Sequence, residues 1–246
     1  MAKKSKSPDS SRKGPTKFGP FEQLLESTRS SRVSRWSDVE GAFIEATELF
    51  DDEFSAGARS NGWYKAKARY FNDLIVALLE NYTDKTMFVR KKHTSHLFAS
   101  VDVDVCFSHE GALVFGAEVK ALGTPPHPGN KGKARPGSQD IHKRAREVAL
   151  TSIDLKAGHA RPQKIATFQD WVNNTLPKYA SFWSIRANNT ADLHRVRSVL
   201  GGLQRFCNGV GAVVYMPRNR PTSYRVEILP ELGIDQVLRD VGQRLV

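Results

Sequence analysis

Two strand-like runs separated by four residues constrain this chain most. Ser100 to Phe107 (SVDVDVCF) alternates apolar and polar residues, and Ala112 to Ala121 (ALVFGAEVKA) does so in the same rhythm. The connection Ser108-His109-Glu110-Gly111 is short enough for a hairpin. Side chains alternate across a strand, so Val101, Val103, Val105 and Phe107 are expected on one face and Asp102, Asp104 and Cys106 on the other. On the second run Leu113, Phe115, Ala117, Val119 and Ala121 share a face, opposite Val114, Gly116, Glu118 and Lys120. Antiparallel pairing then gathers Asp104, Glu118 and Lys120 into a charged patch above an apolar core.

The surrounding sequence supplies the rest of a domain. Phe21 to Glu53 reads as helical, with Leu24, Leu25, Val39, Phe43, Ala46 and Phe50 at helical spacing and Ser37 as a candidate N-cap. Seven acidic residues between Asp38 and Glu53 argue against that helix facing DNA. After a break at Gly57–Gly62, Tyr64 to Tyr82 forms a stronger helix with Ala68, Phe71, Ile75, Leu78, Leu79 and Tyr82 on one side. Thr86 to Lys92 precedes the hairpin as a further strand. A Gly- and Pro-rich loop over 123–137 leads to a helix from Ser138, a cap, to Ala157, with Ile141, Ala145, Val148 and Ser152 facing inward. Phe168 to Tyr179 reads as helix interrupted by Pro177, Ala180 to Ala187 as strand and Ala191 to Cys207 as helix. Strands at Gly211–Met216 and Ser223–Leu229 and a helix at Gly233–Leu245 complete the chain. This order predicts an α/β fold with a mixed sheet flanked by helices. It divides into a disordered basic tail over 1–20, an N-terminal helical extension over 21–58 and a main domain over 59–246.

Charge indicates the partner. Of a net charge of +11, the tail carries six basic groups against one acidic, and residues 121–165 carry nine against three. Such concentration favours a polyanion, because each phosphate contact releases condensed counterions. Lys131, Lys133 and Arg135 in the loop and Lys143 and Arg144 on the following helix are the expected DNA contacts. Arg186, Arg195, Arg197, Arg205, Arg218, Arg220 and Arg225 form a second basic group. No apolar run approaches the ~18 residues of a membrane span. Two cysteines, Cys106 and Cys207, make neither a disulfide framework nor a zinc site, so a reduced, cytoplasmic setting is expected. Cys106 reads as a packed thiol. The seven histidines lack zinc spacing, and no GxxxxGK[ST] loop is present, so ATP is not expected.

Two carboxylates held close together repel, and hard oxygen donors of this kind suit Mg²⁺ or, as a substitute, Mn²⁺. The pattern also fits the wet face of an ordinary hairpin. The two-strand arrangement, the apolar opposite faces and the adjoining basic loop favour a metal site. Asp104 followed after thirteen residues by Glu118-Val119-Lys120 resembles the PD-(D/E)XK nuclease superfamily, whose fold is restriction-endonuclease-like. The order matches over about residues 60–190. The resemblance implies that Asp104 and Glu118 bind the metal, that Val119 lends its carbonyl oxygen and that Lys120 serves the nucleophile. No proline precedes either aspartate, so Asp102 stays a candidate. Asp104 is preferred for the Val105-Cys106-Phe107 stretch after it. Members often carry a further glutamate on the first helix; the candidates are Asn72, Asp73 and Glu80, with Glu80 the best carboxylate. The implied activity is Mg²⁺-dependent cleavage of double-stranded DNA by a type II restriction endonuclease acting as a homodimer. The alternatives are a repair or recombination nuclease that recognises DNA structure, and an inactive DNA-binding protein on the same scaffold.

Overall fold

Helix α3 (Ser60–Thr83) buries Tyr70, Phe71, Leu74, Ile75, Leu78 and Leu79 along one stripe, which needs a flat apolar partner. A six-stranded mixed sheet supplies it. The computed structural model describes residues 17–57, 60–97, 100–158 and 167–245. The strands lie in chain order: β1 (Phe88–Thr94), β2 (Ser100–His109), β3 (Ala112–Leu122), β4 (Lys178–Arg186), β5 (Gly209–Pro217) and β6 (Tyr224–Glu227). The first three form an antiparallel meander. β3, β4 and β5 are parallel, and β6 returns antiparallel to β5.

Parallel neighbours need crossovers, and helices provide them. α4 (Ile141–Ala157) and α5 (Phe168–Asn174) join β3 to β4, and α6 (Thr190–Leu203) joins β4 to β5. α4 and α6 pack over Val103, Cys106, Tyr179, Trp183, Ile185 and Val214. Ile141, Ala145, Val148 and Ser152 form the buried side of α4. A separate core holds α1 (Gly19–Ser30), α2 (Glu40–Ser55), α3 and α7 (Ile234–Leu245) against Val105, Phe115, Ala117, Val119, Phe182 and Val213. No helix among the described residues is long and apolar enough to cross a membrane.

Several local expectations change. The alternation of β2 reverses: Val103 packs under α4 and α6, whereas Val105 packs under α3. The β2–β3 ladder begins only at Val105–Ala117, so residues 100–104 have backbone pairing with β1 but not with β3. A register shift between Phe107 and Ser108 likewise moves Leu113 to the α4–α6 core, away from Phe115. Gly62 lies within α3 and does not break it. The expected tail over 1–20 ends sooner, because Phe18 is buried and α1 starts at Gly19; its first sixteen residues lie outside the described ones. The N-terminal helices share the α3 core, with the Phe21 ring stacked on Tyr70 at 4.8 Å. Ser37 does not cap α2 with its side chain; its backbone N–H, and that of Trp36, donate to the carboxylate of Asp235 at the start of α7.

A buried ion pair ties these layers together. Asp51 of α2 and Lys67 of α3 are 2% and 4% exposed, with Nζ 2.8 Å from Oδ2. The Tyr224 hydroxyl donates to the same oxygen at 2.7 Å. Burial pushes the Lys67 amine down, but Asp51 beside it prevails and holds it above its ordinary value. Asp51→Ala strands that ammonium in the core, and urea unfolding is expected to show a loss of about 3–5 kcal/mol.

Candidate active site

The polar cluster is built where two strands part. β2 and β3 are paired from Phe107–Phe115 to Val105–Ala117, and the ladder goes no further toward Asp104. On β3 the next outward-facing amide, Val119 N–H, donates to the Asp104 carboxylate at 3.0 Å. A side chain thus replaces a strand partner, and the exchange fixes Asp104 against β3. Glu118 and Lys120 project from β3 beside it. Lys120 Nζ lies 3.0 Å from Asp104 Oδ2 and also pairs with Glu118 Oε2.

Tyr179, which sequence reasoning missed, completes the cluster. Its buried hydroxyl donates to Glu118 Oε1 at 3.2 Å. Parallel pairing of β3 with β4 sets Tyr179 next to Gly116. A Cβ at 116 would stand 3.1 Å from the Tyr179 ring and 3.2 Å from Val103, so the glycine leaves room for the ring. The only sequence signal was the apolar run of β4. The register that aims Tyr179 at Glu118 depends on a crossover of more than fifty residues.

Charge within the cluster is unbalanced. Glu118 is only 7% exposed, and burial pushes its carboxyl up to about 7, with Lys120 opposing and Asp104 adding to the rise. Burial also pushes Asp104 upward, but Lys120 and the hydrogen bonds from Glu118 and Val119 hold it below the ordinary value. Burial would lower Lys120; Glu118 and Asp104 outweigh it and keep the ammonium protonated. One ammonium thus meets two carboxyl groups, of which Asp104 keeps its charge and Glu118 is held back from ionising. The donor set fits a divalent cation: two carboxylates and the Val119 carbonyl offer hard oxygen, and Mg²⁺ commonly keeps several waters. Among the described residues no group of three or more His, Cys, Asp or Glu gathers, so such an ion would draw its remaining ligands from water or substrate.

Other candidates fall elsewhere. Asp102 is exposed and faces Lys92 across the β1–β2 ladder. Glu80 accepts from the Met87 amide at 3.0 Å and closes the turn from α3 into β1. Asn72 is buried and Asp73 half-buried on α3, and no described hydrogen bond or ion pair joins either to the cluster. Cys106 is buried, its thiol pushed upward by burial, 3.4 Å from His93 Nε2.

The Gly- and Pro-rich loop over 123–137 has a scaffold of its own. Thr124 and Arg135 exchange backbone hydrogen bonds at 2.7 and 3.0 Å. The His127 ring packs edge-on against Phe54 at 4.6 Å. Lys131 and Lys133 are exposed near the tip, as is Lys143 on α4. Arg135 pairs with Asp140 at 2.6 Å, and Arg144 with Glu147 at 2.8 Å. Arg135 and Arg144 line an open groove of about 310 Å³ with Lys65, at the end of β3 beyond Lys120. The Ser138 hydroxyl donates to Asp192 and does not cap α4. Arg186 leaves the expected basic surface altogether. It is buried, donates to the Pro221 carbonyl at 3.2 Å and lies over the Tyr224 ring.

No family model matches the chain, nor does any curated protein or solved structure compared with it.

The raised Glu118 carboxyl predicts a pH-dependent stability. A carboxyl with a folded value near 7 and an unfolded value near 4.5 favours the fold while neutral, and that contribution is lost as pH rises between the two. Glu118→Gln is expected to flatten this decline and to raise stability at pH 8 by about 1–3 kcal/mol in metal-free buffer, read by urea unfolding.

Proposed function

We propose that the protein is a divalent-metal-dependent endonuclease of double-stranded DNA, on the restriction-endonuclease-like plan and of the type II restriction kind. The observation that carries this reading is the convergence of Asp104, Glu118 and Lys120 where β2 leaves β3. The element order supports it: a helix, an antiparallel meander with Asp104 on its second strand and Glu118-Val119-Lys120 on its third, then a crossover helix and a parallel strand.

Asp104, Glu118 and the Val119 carbonyl would hold Mg²⁺ or Mn²⁺. When bound, the metal lowers the pKa of water and neutralises charge on a phosphoryl oxygen. Lys120 keeps its proton between the carboxylates, so it can orient an attacking water and stabilise charge growing on the phosphate. Tyr179 fixes the Glu118 carboxylate from below, and burial drives its hydroxyl well above the usual phenol range, so it remains a donor. Hydrolysis joins the water oxygen to phosphorus as the bond to the leaving oxygen breaks. Each cluster serves one strand, so a two-fold homodimer suits symmetric double-strand cleavage.

A plasmid assay tests this reading. Wild-type protein with Mg²⁺ is expected to yield discrete fragments, and none in EDTA. Asp104→Ala, Glu118→Ala and Lys120→Ala are each expected to slow cleavage by at least about 10²–10³-fold, the scale of losing one transition-state electrostatic group, while duplex binding persists. Asp102→Ala should cut normally. Preference for branched DNA would instead indicate a repair nuclease, and retardation without cutting a binding protein.

A further inference from the structure

One edge of the sheet is β1, which among the described residues pairs only with β2; six of its seven residues are exposed, so it contributes little to the core. It carries Arg90, Lys91, Lys92 and His93 in succession and no acidic residue. Phe88 and Val89 beside them are 46% and 45% exposed, and Lys91 Nζ sits 4.7 Å over the Phe88 ring.

We propose that this edge contacts the phosphates of the same duplex, on the β1 side of Asp104; the inference rests on the nuclease reading above. Register places it there. The pairs Val89–Val105 and Lys91–Val103 bracket Arg90 opposite Asp104, the residue that touches Lys120 and Val119. Arg90 has φ +52°, a left-handed conformation that arginine rarely adopts in a strand and that turns the chain locally out of its regular path.

Carboxylates face the edge as well: Asp102 stands across from Lys92 and Asp104 across from Arg90, Asp73 senses Arg90 together with Arg69 and Arg29, and Asp154 accepts from His96 and Leu97 just past the strand. Lysines on an edge strand also serve to prevent sheet-to-sheet pairing. That role explains neither the left-handed arginine level with Asp104 nor the apolar pair left exposed beside it. Lys131 and Lys133, exposed on the loop after β3, add cations carried by a different element. Such a placement suits a polyanion that passes across the site, since phosphate contacts position a duplex without reading its sequence.

The test measures duplex binding by fluorescence anisotropy at a series of KCl concentrations, in EDTA so that cleavage does not intrude. Two variants are used: Lys91→Ala with Lys92→Ala, and Arg90→Gly, which removes the guanidinium while suiting the left-handed backbone. Each lost phosphate contact lowers the slope of log K against log salt by about 0.9, so decreases of about 2 and about 1 are expected, equal on unrelated sequences. Arg239→Gln, at an exposed position of α7, removes one charge elsewhere and should leave the slope unchanged. Unchanged slopes in both edge variants overturn the proposal while leaving the nuclease reading intact, and so does an equal fall in Arg239→Gln. Failure of wild-type protein to bind duplex at all overturns both.

Discussion

The parting of β2 from β3 governs the rest of the site. Had the ladder continued past Val105–Ala117, Val119 would have donated to a strand carbonyl and Asp104 would have had no place against β3. The carboxylate takes over the backbone's hydrogen bond, so one side chain satisfies the sheet and forms the cluster together. Glu118 can then be buried because Lys120 and Tyr179 meet its two oxygens separately. Burial still holds its carboxyl up at about 7, and a divalent cation, as proposed above, would favour the ionised form.

Much of the architecture was legible because it is written in local periodicity. The hairpin, the stripe of α3 and the inner side of α4 each follow from neighbours within a turn or two of chain. Asp104, Glu118 and Lys120 could be placed together because only two residues separate their strands. What failed depends on partners distant in sequence. The face reversal at Val103 falls where the β2–β3 ladder has ended, a feature set by the pairing of strands and not by the local alternation. Arg186 resembles a surface cation until β6 and the Pro221 carbonyl close over it. Glu80 is a different matter: its partner, the Met87 amide, is only seven residues on, in a turn that periodicity does not display. Tyr179 was invisible because its meaning lies in a parallel register that no local pattern encodes.

The N-terminal helices are part of the platform on which the site rests. Phe21, Phe43 and Phe50 pack into the same core that carries α3 against Phe115, Ala117 and Val119. The alternate residues of that stretch of β3 are Gly116, Glu118 and Lys120. Positions that hold the strand against α3 therefore interleave with those that present the chemistry. A disturbance of the Asp51–Lys67 pair acts on the frame that fixes β3, even though neither residue touches the cluster.

The Asp235 carboxylate, which receives the amides of Trp36 and Ser37, has a consequence for how the molecule comes into being. The two partners are 199 positions apart in the Trp36 contact. During synthesis the turn between α1 and α2 emerges early and waits for α7 with its capping groups unmet. Val237, Leu238 and Val241 of α7 are also absent from the core until then. Helices α1 to α3 can assemble on the ribosome only as an open-sided layer, exposed to water or to a chaperone. Closure of the fold thus depends on a helix whose capping carboxylate lies 199 positions further along the chain than the turn it meets.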